Sequence, residues 1–255
     1  MEEVLSLFFI LLIGLAIGSF LNVCIYRIPR DESIIFPASR CITCGYNLKI
    51  SDLVPIFSYI FLKGKCRCCK EKISIKYPIV ELINASLYLI IFLKYGYTLE
   101  FLKYSVLASL LIVIALIDFN TKFVYRSTVM FGLISGIIFW IGECLIAEKI
   151  IVNNIFGALI GFTFIFLIVI TTRGMGEGDI EIATICGLFL GVKGIIITLF
   201  LSIIIAGIIA ISILLFKLKD KKDAIAFGPY LAIGAVISIT FSNHIFQWYV
   251  SYLLQ

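Results

Sequence analysis

The chain has 255 residues, of which 62% are hydrophobic and only 15% charged, and it carries a formal net charge of +5. Ordinary soluble chains are roughly 25% charged, so the composition excludes a soluble globular protein and predicts an integral membrane protein. A membrane-spanning helix needs about 20 apolar residues, which leaves room for about eight.

In chain order, apolar runs predict spans at 4–26, 78–93, 101–117, 127–147, 151–171, 180–192, 194–216 and 225–251. The fold class is therefore all-α and polytopic. Three parts follow: a first transmembrane helix at 1–26, a cytoplasmic module at 27–77 and a seven-helix membrane domain at 78–255. The first run is preceded by Glu2 and Glu3 and followed by Arg27 and Arg30. A signal peptide has the basic residues first, so this order predicts a retained helix with its N-terminus outside.

Residues 27–77 form the one sizeable polar segment and hold five of the eight cysteines and three of the five prolines. About 50 residues cannot build a self-sufficient core, so a staple is expected. Cys41-Ile-Thr-Cys44 and Cys66-Arg-Cys-Cys69 supply it as two C-x2-C pairs, with Gly45 placed for a turn. Cys41, Cys44, Cys66 and Cys69 suit a tetrahedral zinc with Zn–S bonds of about 2.3 Å. A reducing cytoplasm disfavours disulfides, and four protein ligands leave no open position, so the zinc is structural. Cys68 offers a second register, Cys66/Cys68. Cys24, Cys144 and Cys186 fall in apolar runs and read as packing residues.

The third run ends at Asp118, and Gly174-Met-Gly-Glu-Gly-Asp179 precedes the sixth. A carboxylate at a membrane boundary is costly and is a functional candidate by default. Singly, each aspartate could be a solvated helix end or turn. Together they predict an acid/base pair, because two carboxylates sharing a site do not both ionise easily. Glycines at 174, 176 and 178 allow broken helix or close backbone approach. No strand precedes them, which argues against a nucleotide loop. The sixth and seventh runs are separated only by Lys193 and its neighbours, and the eighth contains Gly228-Pro229, where a helix could be broken or partly interfacial.

Charge sets the orientation. Segments 27–77, 118–126, 172–179 and 217–224 carry 17 of the 21 Lys/Arg, and Lys94, Lys103, Lys149 and Lys193 are the rest. The positive-inside rule then predicts both termini outside and the cysteine module, Asp118 and Asp179 at the cytoplasmic face. The basic excess is topogenic, which weighs against nucleic-acid binding.

The motifs also carry a family likeness. Gly18-Ser-Phe-Leu-Asn-Val-Cys-Ile-Tyr-Arg-Ile-Pro29, Cys41-x2-Cys44 and Asp52-Leu-Val-Pro-Ile-Phe-Ser-Tyr59 come first. Gly64-Lys-Cys-Arg-Cys-Cys69, Tyr77-Pro-Ile-Val-Glu-Leu82, Leu116-Ile-Asp118, Gly174-Met-Gly-Glu-Gly-Asp179 and Phe227-Gly-Pro229 follow in order. On these stretches, spanning nearly the whole chain, the sequence resembles the bacterial type IV prepilin peptidases. The resemblance implies a membrane aspartyl endopeptidase that removes the short basic leader of prepilins and pseudopilins on the cytoplasmic side of the bacterial inner membrane. It also implies methylation of the new N-terminal amine with S-adenosylmethionine, at residues the sequence does not reveal. It places catalysis on Asp118 and Asp179 and zinc on Cys41, Cys44, Cys66 and Cys69.

The chain departs from the family pattern at Asn120, where an aspartate is usual, at Val124-Tyr125-Arg126, where a proline usually stands in the middle, and at Ile180-Glu181-Ile182, where Lys-Leu is usual. Glu181 adds a third carboxylate near the pair. Without a Ser/His or Cys/His pair, and with the single histidine His244 near the opposite face, a covalent acyl-enzyme is disfavoured. The competing readings are a peptidase lacking methyltransferase activity, a cation-coupled transporter with broken helices, and a zinc-stapled scaffold without chemistry.

Overall fold

The computed structural model describes residues 2–172, 175–216 and 226–253. Gly174 of the glycine-rich motif and the basic segment 217–224 lie outside the described residues. Regular structure within them is helical: α1 (Glu2–Arg27), α2 (Phe57–Phe61), α3 (Lys76–Tyr95), α4 (Leu99–Thr121), α5 (Arg126–Ile146), α6 (Val152–Thr172), α7 (Glu177–Leu215) and α8 (Gly228–Leu253). Six of these, α1 and α3 to α7, are long and apolar enough to cross a membrane, and α8 contains a shorter apolar stretch, Gly228–Ser242. The chain divides into two compact units, Met1–Tyr97 and Thr98–Gln255.

In the first unit α1 and α3 run antiparallel. Gly14 and Gly18 bring the backbones together, because a β-carbon on either would come within 2.7 Å of the Cα of Ala85 or Glu81 respectively. Small residues four apart are a common way to close a helix pair in lipid, where no hydrophobic force acts between helices. Buried amides fasten it: Asn84 Nδ2 donates to the Gly14 carbonyl at 2.8 Å and Asn22 Nδ2 to that of Tyr77 at 3.0 Å.

The second unit is built round α7, which holds one non-helical residue, Gly191 (φ 68°, ψ −175°). Only glycine takes that conformation at ease. Before it, Ala183 and Gly187 pack on Gly161 and Gly157 of α6; after it, Ile195 returns to Gly161. Ser238 Oγ of α8 donates to the Gly194 carbonyl at 3.0 Å, whereas Gly234 packs on Thr198 and Ser202. The chain therefore reverses at Gly191, and α7 is a pair of antiparallel helices. Two spans were expected here, divided around Lys193; the break falls at Gly191 because the backbone conformation, not the charge, makes the turn.

Polar groups hold this reversal. Asn154 Nδ2 donates to the Leu188 carbonyl at 2.9 Å, and the Val192 N–H donates to Asn153 Oδ1 at 3.3 Å. Glu143 Oε2 accepts from Asn154 Nδ2 at 3.4 Å, and its other oxygen pairs with the buried Lys103 Nζ at 2.6 Å. The apolar core beneath includes Leu107, Leu111, Ile182, Ile185, Phe189, Ile195 and Leu231, and it contains Cys186 as a packing residue.

Candidate functional site

Asp118 does not end its helix, as the hydropathy pattern suggests, but lies in the last full turn of α4, which runs on to Thr121 and closes on a left-handed Lys122. Its side chain is buried, at 5% exposure. Its Oδ2 accepts a 3.0 Å hydrogen bond from the N–H of Gly228, the first residue of α8. The first N–H groups of a helix have no partner within it, and the helix dipole favours a carboxylate there. Pro229, just inside the helix, has no N–H of its own and a φ already suited to a helix start. A β-carbon on Gly228 would lie 2.6 Å from Asp118 Oδ2, so any other residue there would have to push the carboxyl aside.

Asp179 repeats the device. It sits in the first turn of α7, is buried at 6% exposure, and accepts at Oδ2 from the Gly176 N–H at 3.2 Å. Its own N–H donates to the Gly176 carbonyl at 3.1 Å, a reciprocal N-terminal cap. Gly178 and Asp179 are thus already helical, not part of an unwound stretch. Gly178 serves close approach: a β-carbon there would fall 2.5 Å from Val124 Cγ2, in the loop after α4.

These contacts bring the two aspartates together. Gly228 touches both Asp118 and Ile182, which is one turn beyond Asp179. Gly228 thus ties the Asp118 carboxyl to the turn of α7 that carries Asp179. Glu181 faces outward, and Arg126 and Glu177 are the charges around it. Asn120 is exposed and donates to the Leu116 carbonyl at 2.6 Å. Tyr125 is extended (φ −91°, ψ 134°), within the region a proline occupies, so the loop keeps its course without one. The Gly228 N–H is the partner that sequence reasoning missed; Phe227-Gly-Pro229 was its only trace.

The first unit gathers four thiols. The Sγ atoms of Cys41, Cys44, Cys66 and Cys69 all lie within 4.8 Å of one another, with Cys41 and Cys69 at 3.8 Å. Four Zn–S bonds of about 2.3 Å in a tetrahedron require sulfurs about 3.8 Å apart, so the donor set fits zinc. Cys68 is exposed and outside the cluster.

Two matching knuckles build it. The Cys41 N–H donates to the Tyr46 carbonyl at 2.8 Å and the Gly45 N–H to that of Cys41 at 2.9 Å. Cys66, Glu71 and Lys70 repeat the pattern at 2.8 and 3.1 Å, and the bridges Arg40–Asn47 and Lys65–Lys72 close the two loops. Gly45 (φ 71°) and Lys70 (φ 62°) hold equivalent left-handed positions. The Cys44 backbone N–H, directed at Cys41, lowers that thiol from the ordinary range to about 6, while the neighbouring sulfurs help hold Cys44 up at about 12 and raise Cys69, so the thiols share charge as a cluster.

Residues 12–95 match the bacterial peptidase A24 N-terminal domain, and residues 105–211 match the type IV leader peptidase family. The chain is 32% identical over 257 residues to a prepilin leader peptidase/N-methyltransferase of Bacillus subtilis (strain 168), covering 98% of this chain and 99% of the relative. The chain belongs to the type IV leader peptidase family. Relatives of the same description in Pseudomonas putida and Neisseria gonorrhoeae are each 29% identical, over 92% and 94% of this chain and 90% and 93% of theirs. No solved structure matches it. Membership accords with the multi-pass helical fold; it lends no support to a transporter or an inert scaffold.

Proposed function

We propose that this protein is an aspartyl endopeptidase of the bacterial inner membrane that removes the basic leader of type IV prepilins or pseudopilins and methylates the exposed N-terminal amine with S-adenosylmethionine. The observation that carries the peptidase reading is the pair of buried aspartates, each held by the backbone N–H of a glycine at a helix start.

In this reading Asp118 and Asp179 share one proton. The ionised member takes a proton from water as the water oxygen attacks the scissile carbonyl carbon. The protonated member polarises that carbonyl, and a proton passes to the departing amine as the C–N bond breaks. The two carboxyls titrate as a unit, so the roles belong to the pair. Each glycine N–H fixes one carboxyl oxygen and leaves the other facing the reaction. Cys41, Cys44, Cys66 and Cys69 would hold a zinc that staples the 27–77 segment and takes no part in the hydrolysis.

A prepilin has an apolar helix in the membrane and a basic leader inside the cell, so its scissile bond lies at the cytoplasmic boundary. The 17-to-4 charge asymmetry supports the aspartates being at that face, with both termini outside and about eight spans, α7 counting as two. Intact mass spectrometry of a co-expressed prepilin tests the function: a leader-shortened, singly methylated product is expected, and an unprocessed one refutes it. Asn120 and Thr172 are exposed. A single cysteine at either should react with an impermeant thiol reagent only after the membrane is opened; labelling from outside would invert the orientation.

A further inference from the structure

The cysteine module turns apolar side chains outward. In α2, Phe57, Ile60 and Phe61 are exposed, Phe61 at 83%. Their spacing of three and four puts them on one face. Ser58 and Tyr59 are half-buried, and Tyr59 Oη donates to the Ile73 carbonyl at 3.4 Å. A helix facing water keeps its apolar face inward, so α2 is the reverse. A second loop presents Ile35 and Phe36, the latter 77% exposed. Exposed apolar patches mark contacts with protein or membrane.

Buried charged side chains pin both loops to the ends of spanning helices. Arg27, the last residue of α1, donates from Nη1 to the Ser33 carbonyl and from Nη2 to the Pro37 carbonyl, each at 2.8 Å, on either side of Ile35 and Phe36. Glu81, in the second turn of α3, accepts at 2.8 Å from the N–H of Ile56, the residue before α2, and Ser19 of α1 also bonds it. Arg27 and Glu81 are both buried. α1 and α3 are long and apolar enough to cross a membrane, so the loops sit where those helices meet its surface. Ile79, Leu82 and Ile83 of α3 are exposed, so open apolar surface on that helix begins at the level of the loops.

Charge selects the partner. The 27–77 segment carries ten Lys/Arg against four Asp/Glu, and a zinc tetrathiolate, with two negative charges, leaves it positive. Lys63 and Lys65 follow α2 and are exposed, and Arg30 stacks on the Tyr26 ring at 3.8 Å beside the end of α1. Basic side chains and aromatic rings bordering an apolar insertion suit an anionic headgroup layer. We propose that the cysteine module docks on the bilayer surface through these two loops, with Ile35, Phe36, Phe57, Ile60 and Phe61 at the headgroup–acyl boundary and Lys63 and Lys65 against anionic lipid headgroups. The contact is an insertion into one leaflet, short of a span. It sets the height of the module over the membrane, where the zinc staple sets only its internal shape.

Photocrosslinking of the zinc-containing full chain in vesicles of phosphatidylcholine and phosphatidylglycerol tests it. Benzoylphenylalanine in place of Phe36 or of Phe61 should, on irradiation, give phospholipid adducts on the peptide that carries the probe. Crosslinks to residues 98–255, to a second copy of the chain or to a co-reconstituted prepilin in place of lipid overturn the proposal, and so does a probe that finds no partner. A second arm uses the native sequence. Amide hydrogen exchange over residues 53–61 should be slower in vesicles containing phosphatidylglycerol than in phosphatidylcholine alone. Lys63→Glu with Lys65→Glu should cancel that slowing, about fivefold for each lysine at the surface. Equal exchange in the two lipids overturns the headgroup contact. Both leaflets of these vesicles carry the same lipids, so neither arm depends on which face the module occupies or on the peptidase reading. Unchanged zinc content shows that a variant is intact.

Discussion

The two units assemble their candidate sites by opposite routes. In Met1–Tyr97 the four thiols stand on two short loops with the same local hydrogen bonds, so nearest-neighbour sequence nearly dictates the cluster. In Thr98–Gln255 the aspartates are held by partners both near and far: Gly176 is three residues from Asp179, but Gly228 is 110 residues from Asp118. A local site survives changes elsewhere in the chain and fails when its own loop is cut. A site closed across the bundle fails when any one of several helices shifts.

The largest effect that would sharpen this contrast comes from the carboxyls. Asp118→Asn or Asp179→Asn should each lower leader cleavage at least about 10³-fold, because the amide can neither take nor give the shared proton. The measurement is the rate of prepilin shortening by purified protein, with zinc content unchanged. Near-normal cleavage by either variant removes that residue from the mechanism.

A glycine remote in sequence should do almost as much. Gly228→Ala puts a β-carbon 2.6 Å from Asp118 Oδ2, and Gly178→Val drives side-chain atoms into Val124. A displacement near 1 Å costs about 10²-fold in rate, so cleavage should fall by about that factor while zinc stays bound. If Gly228→Ala cleaves normally, the α8 N-terminus does not position Asp118, and the contrast between the units is lost.

The metal cluster breaks in the reverse sense. About one zinc per chain is expected, and Cys69→Ser should lose most of it while Cys68→Ser keeps it. Metal analysis of the two variants decides between the registers. The smallest change is Lys70→Gly. A left-handed lysine costs about 1–2 kcal/mol, and glycine returns about 0.5–1 kcal/mol of that through unfolded-state entropy. The net gain of about 0.5 kcal/mol should appear as slower zinc release to a chelator.

The cysteine cluster, the aspartates and the helical membrane class are legible because each is written in spacing or hydropathy. Hydropathy reports length and charge but not backbone direction, so it marks Lys193 and passes over the reversal at Gly191. It also cannot see that Gly14 and Gly18 are α1's contacts with α3, since an apolar run shows no facing partner. The Gly228 N–H is a backbone group that any residue but proline could offer; what makes it specific is the absent side chain beside Asp118. Ile56 takes φ 60°, ψ −53°, which nothing in an ordinary apolar tripeptide foretells.

The reversal at Gly191 has a consequence for the lipid. From Glu177 to the turn, α7 has about 14 residues, roughly 21 Å of helix at 1.5 Å per residue, against a hydrocarbon core of roughly 30 Å. A helix that short cannot bridge the bilayer at its normal thickness. Ile182, Ala183, Ile185, Cys186 and Phe189 of this half are buried, packed among neighbouring helices such as α5 and α6, so its short reach sets the depth of Asp179 inside the bundle and leaves the surrounding lipid to the longer helices. Cleavage in reconstituted vesicles should then follow how well the acyl chains match those longer helices rather than this short one.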